Sequence, residues 1–134
     1  MEIRNKHVPD IYLNISHFVD HFIMLIFAKA AYDAGIEFGL SYEEIIIFGL
    51  LGFILFGAMA PIAAILADKY SRSTLMVIFH FGVGISAILC SLSNTPLQLA
   101  IGLGLVGAFS SIYHPVGIAM LLKNSKNLGF RLGI

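Results

Sequence analysis

The sequence predicts an all-α fold, a polytopic transmembrane bundle of four spans with both chain ends on the cytoplasmic side. Three observations carry this expectation. The first is composition: 58% of the 134 residues are hydrophobic and 12% are charged, with a mean hydropathy of +0.89. A soluble domain this small buries only about two-thirds of what its chain exposes, too little to hide that much apolar surface. Four spans of about 20 residues need about 80 apolar positions, which matches the roughly 78 present. The second is the spacing of charges, sparse enough to leave four long apolar runs. The third is a strong bias of Lys and Arg to alternate connections. Together these exclude a soluble globular enzyme, a nucleic-acid binder and a disordered chain. Eight basic and eight acidic residues balance, so no net charge points to a polyanionic partner. The single Cys90 lies in an apolar run and supports neither a disulfide framework nor a Cys-rich zinc site.

The first span covers residues 11–32 and is unusual in carrying Asn14, His17, Asp20, His21 and Lys29. Arg4 and Lys6 before it, and Ala28-Lys29-Ala30 near its end, have the outline of a cleaved leader. A leader's apolar core should not contain His17, Asp20 and His21, so this segment is expected to remain in place. The second span, 45–67, is 23 residues without a charge, and Pro61 inside it predicts a kink or a loosened turn. Residues 75–122 then contain no Asp, Glu, Lys or Arg, more than one helix can use. Turn residues cluster at Ser93-Asn94-Thr95-Pro96 and divide the run into a third span, 75–92, and a fourth, 97–122. In hydrocarbon every backbone group must be paired internally, so all four should be helices. Gly49, Gly52 and Gly57, and Gly104, Gly107, Ala108 and Ser111, offer small faces for close helix packing. Residues 123–134 form a cytoplasmic tail.

Orientation follows from the basic residues. Arg4 and Lys6 precede span one, Lys69 and Arg72 lie between spans two and three, and Lys123, Lys126 and Arg131 follow span four. The connection over residues 33–44 has four acids and no Lys or Arg, and the turn at Pro96 has no charge. Seven of eight basic residues therefore fall on one side. The eighth, Lys29, can snorkel to the opposite interface and meet Asp33 one turn on.

The link Ala64-Ile65-Leu66-Ala67-Asp68-Lys69-Tyr70-Ser71-Arg72-Ser73 resembles the signature loop of major facilitator superfamily transporters. Asp68, Lys69 and Arg72 match that pattern, whereas Ala64 and Ser71 replace its glycines and Ser73 one of its basic pair. The stretches Asn14-Ile15-Ser16-His17-Phe18-Val19-Asp20-His21 and Ser110-Ser111-Ile112-Tyr113-His114-Pro115-Val116-Gly117 are similar to a bacterial subgroup. Residues 129–134 are similar to the approach to the family's fifth helix. The resemblance implies a twelve-helix carrier with inverted three-helix repeats, of which this chain would supply helices one to four. It also implies that helices one and four line the central cavity. A further implication is that Asp68, Lys69 and Arg72 act as a conformational latch against the other half. The implied setting is a bacterial inner membrane.

A carboxyl near the middle of a span costs about 2.5–3.5 kcal/mol on insertion scales, so such groups face a bundle interior and are functional candidates. At 100° per residue Asn14, His17 and His21 share one face of span one, flanked by Asp20. Lys29 falls about half a turn round from Asp20 and ~13 Å along the axis, too far to be its counter-charge. Counting depth from each entry point, Asp20, His21, Tyr113 and His114 share a layer near the midplane. Burial and a neighbouring imidazolium act in opposite directions on a carboxyl's proton. Asp20, His21 and His114 are thus expected to form a proton-responsive site shaped by Asn14, His17 and Tyr113. The plainer alternative is that these groups only hydrogen-bond helix to helix. His80 is expected to be a satisfied group of that second kind. His17 and His21, four apart, with Asp20 or His114 would suit a nitrogen/oxygen metal set. Chance produces that spacing often and no HExxH pattern is present, so no metal and no cofactor are assigned.

The leading expectation is a secondary carrier portion that moves a small solute by alternating access, with proton coupling, alongside lipid as its other partner. The remaining transporter portion, or a second copy of the chain, would complete it. A compact four-helix dimeric proton-coupled exporter, resembling the small multidrug resistance family, and a non-transporting membrane subunit or remnant are the competing designs. No nucleophile–base set, phosphate loop or cofactor motif suggests an enzyme.

Overall fold

The computed structural model describes residues 8–123. It is helical throughout: α1 (Val8–Phe38), α2 (Tyr42–Ile47), α3 (Leu50–Lys69), α4 (Arg72–Ser91) and α5 (Pro96–Ser110) are followed by a π-helical turn (His114–Ile118) and α6 (Ala119–Leu122). No strand occurs among the described residues. Four segments, Ile11–Phe38, Tyr42–Lys69, Arg72–Ser91 and Pro96–Leu122, are long and apolar enough to cross a membrane. The expected all-α polytopic bundle is what the chain forms. Arg4, Lys6, Lys126 and Arg131, and the approach to a fifth helix over 129–134, lie outside the described residues.

Helix bounds differ from the sequence reading where caps outweigh hydropathy. α1 runs on past residue 32 to Phe38, because nothing breaks it before Gly39, whose φ of +66° suits glycine. The turn beyond it closes with Leu40 N–H donating to the Gly35 carbonyl at 2.8 Å and Gly39 N–H to Ile36 at 3.4 Å, a Schellman arrangement. Asp33 and Glu37 therefore sit on the last turns of α1 rather than in a loop. The second span likewise begins early. Ser41 and Glu44 cap α2 reciprocally, with Ser41 N–H donating to Glu44 Oε2 at 2.8 Å and Glu44 N–H to Ser41 Oγ at 3.3 Å. α3 passes through Pro61 without a break. Thr95 caps α5 by accepting from Gln98 N–H at 3.2 Å, with Pro96 at the first helical position.

Packing depends on small residues. A Cβ on Gly52 would lie 2.8 Å from the Leu103 carbonyl oxygen, and one on Gly107 would collide with the Gly52 carbonyl. Glycine at these positions is what lets α3 and α5 pack backbone to backbone. Two apolar clusters result. One gathers Leu13, Ala63, Met76, Phe79, Tyr113 and Val116 with their neighbours, the other Phe27, Ala31, Ile45 and Leu99. Large side chains such as Phe18, Leu25, Ile36, Phe81 and Leu92 point outward and are about two-thirds exposed, a surface suited to hydrocarbon.

Charge segregates along the bundle. Arg72 and Lys123 share a concavity of about 450 Å³ with Tyr70 and Met120 at one end. At the other, Asp33 and Glu37 border a concavity of about 370 Å³ whose walls include Phe27, Leu99 and Leu103. There Lys29 meets Asp33 at 2.7 Å, as its i,i+4 spacing predicts, with both side chains well exposed.

Candidate functional site

Asp20 is the one carboxylate among the described residues that is wholly buried, at 0% exposure. It projects from α1 toward the junction of α5 and the π turn. His114 Nε2 lies 3.5 Å from Asp20 Oδ2. The Ser110 hydroxyl borders the same carboxyl. Neither Asp20 oxygen nor Ser110 Oγ has a hydrogen-bond partner among the described residues. A buried polar group left in this state normally costs on the order of 1–3 kcal/mol, so each calls for an explanation.

Three imidazoles form the open edge of this floor. His17 and His21 Nε2 atoms meet at 3.0 Å, an i,i+4 contact along α1. The His114 ring stands edge-on to both, with centroids 5.5 Å from His17 and 5.4 Å from His21. Phe56 of α3 packs against the His114 ring at 5.7 Å. His21 is exposed, and His17 and His114 are half-buried.

Tyr113 and Pro115 explain how His114 arrives here. The Tyr113 hydroxyl donates to the Leu13 carbonyl of α1 at 2.7 Å, and its ring stacks on His17 at 5.1 Å with 12° between planes. That buried phenol ties the fourth span to the first. Pro115 has no N–H to continue the α-helical ladder, and the chain widens into a π turn across His114–Ile118. Widened turns of this sort re-aim a side chain within an otherwise regular span and are frequent at functional sites.

Of the residues singled out from sequence, Asp20, His21, His114, His17 and Tyr113 come together. Asn14, one turn before His17, opens instead on a shallow concavity with Ile11, Ile15 and Phe18. Asp68 and Lys69 are exposed at the end of α3, and Arg72 starts α4. None of the three forms an ion pair among the described residues. His80 is satisfied, accepting from or donating to Ser16 Oγ at 3.1 Å and meeting the Met76 carbonyl at 2.7 Å. Ser110 and Phe56 were not singled out as members of the site. Their types carry no chemical signal, and only packing brings them to it.

These polar side chains at the meeting of the first and fourth spans, in a bundle of helices fit to cross a bilayer, are matched by a wider likeness. The family model of the Major Facilitator Superfamily matches residues 13–134. The chain belongs to the major facilitator superfamily. Comparisons with curated proteins and with solved structures give no match. As a member of this superfamily the chain is an integral membrane protein of a transporter family, with lipid and a small solute as its partner classes. Membership leaves the compact dimeric exporter design without support.

Proposed function

We propose that this superfamily chain contributes the first four spans of a secondary carrier, in which Asp20, His21 and His114 form the solute- and proton-binding layer. One observation carries the reading: a wholly buried carboxyl facing an imidazole at 3.5 Å across two spans. A polar group held in a bundle solely to join helices would be hydrogen-bonded, as Tyr113 and His80 are. The groups facing Asp20 are His21 from its own helix, Ser110 from α5, and Tyr113 and His114 from the π-turn region. Alternating access would expose this layer to each side in turn. His17 and Tyr113 shape it, and Asn14 lies one helical turn away along the same helix.

The segregation of Lys69, Arg72 and Lys123 from Asp33 and Glu37 supports a cytoplasmic placement of the basic end, in a bacterial inner membrane. Asp68, Lys69 and Arg72 then lie where a latch against a partner half of the carrier would act. The decisive experiment compares native membrane vesicles containing the wild-type protein or Asp20→Asn. Solute-driven proton movement is followed with an internal pH dye across a panel of small organic and inorganic solutes. The wild type should couple at least one solute to proton flux and the variant should not. Equal initial rates would overturn the assignment of the site.

A further inference from the structure

We propose that His17, His21 and His114, with the Asp20 carboxyl facing His114 behind them, form a binding site for one divalent transition-metal ion of the zinc class. As a statement of solute class this rests on the carrier reading above; as a statement of binding it rests on geometry alone. Each of the three imidazoles offers a ring nitrogen, and these atoms lie within 4.8 Å of one another. Metal–nitrogen bonds of about 2.0–2.1 Å in a tetrahedral set place ligand nitrogens about 3.3 Å apart. The His17 and His21 Nε2 atoms, 3.0 Å apart, are already near that edge length. The His114 ring stands edge-on to both, with 34% of its side chain exposed.

Asp20 is the independent observation. Its Oδ2 lies 3.5 Å from His114 Nε2, and the Ser110 hydroxyl is its other polar neighbour. The three imidazoles supply the nitrogen donors, and the buried carboxyl facing His114 sets an acidic group beside a divalent cation bound there. The donor chemistry sets the class. Imidazoles with one carboxylate suit zinc, cobalt or nickel, whereas calcium needs six to eight oxygens and magnesium a largely hydrated octahedron. The Tyr113 phenol beside the imidazoles is engaged by the Leu13 carbonyl.

The test is equilibrium binding to the full chain in lipid nanodiscs, freed of metal and titrated with Co²⁺ while the visible ligand-field bands are recorded. One Co²⁺ should bind per chain with the intense bands of four-coordination, displaced by Zn²⁺ and unaffected by excess Mg²⁺. His21→Ala replaces an exposed side chain and leaves the fold intact. It removes a direct ligand, so affinity should fall by about 100-fold or more, at or beyond the top of the range for outer-shell changes. His80→Gln, a histidine change elsewhere on the bundle, should bind as the wild type does. Absence of a saturable band, binding undiminished in His21→Ala, or displacement by Mg²⁺ would overturn the site. None of these outcomes bears on the Asp20→Asn flux comparison, so failure of the metal site and failure of the carrier reading are separately visible.

Discussion

Replacing Asp20 by leucine separates a carboxyl kept for function from one kept for structure. The two side chains have the same number of heavy atoms and the same branching, so Asp20→Leu changes polarity with little change in shape. Asp20 is fully buried and neither oxygen is hydrogen-bonded among the described residues. Its contact with His114 at 3.5 Å is long for an ion pair, and the half-exposed imidazole is free to turn outward once the carboxyl is gone. Insertion scales separate Leu from Asp by roughly 3–4 kcal/mol at mid-span. Replacing a whole buried ion pair by apolar groups is often neutral or stabilising by about 1–4 kcal/mol, and the penalty for removing one partner falls where the other, here His114, reaches the surface. The leucine variant should therefore resist unfolding better than the parent, by about 1–4 kcal/mol, while losing solute-driven proton flux. Titration with SDS in mixed micelles, followed by far-ultraviolet circular dichroism, measures the stability change. A leucine variant less stable than the parent would show that the carboxyl tethers α1 to α5, and the functional argument would lose its ground.

The α3–α5 contact makes a second prediction, in which position decides the sign. Gly107→Ala places a methyl on the Gly52 carbonyl, a backbone atom with no rotamer to yield. Overpacking of this kind costs about 1–3 kcal/mol, against roughly 1 kcal/mol of improved helix propensity, so the variant should be less stable. Gly57→Ala meets nothing within 4 Å and should be neutral or stabilising by up to about 1 kcal/mol. Thermal melts read by a thiol-reactive dye on the half-buried Cys90 compare the two, and equal shifts would contradict the close approach. For the α1–α4 contact, a double-mutant cycle on Ser16→Ala and His80→Gln should give a coupling of about 0.6 kcal/mol, the average for hydrogen bonds between membrane helices. Strict additivity would mean that the 3.1 Å contact contributes nothing.

Much of the architecture is legible from local chemistry. Charge spacing located four spans, and the turn at Ser93–Pro96 was visible as a cluster of helix breakers. The Lys29–Asp33 pair follows from its i,i+4 spacing. What escaped was governed by caps and ladder slips rather than hydropathy. The positive φ of Gly39 permits α1 to reach Phe38 before it turns, and the Ser41–Glu44 box starts a helix in a polar segment. The candidate site was half visible. Helical periodicity placed His17, Asp20 and His21 near one another, and depth counting brought His114 to their level. The same periodicity grouped Asn14 with the imidazoles, and the structure instead opens it on a separate concavity.

The sequence by itself determined that this chain lies in lipid as four helices, because apolar content and charge spacing leave hydrogen-bonded helices as its only arrangement in hydrocarbon. It also picked out which polar side chains fall within a span, where they are costly to place. Only the tertiary structure decided which of them meet. The π turn at Pro115 rotates His114 toward Asp20, and the Tyr113 phenol ties the spans at that height. Glycine contacts set how closely α3 and α5 approach. The physical reason is that hydropathy and period act along one helix. The pairing of a buried carboxyl with an imidazole 94 positions later depends instead on how two helices rotate and pack against each other.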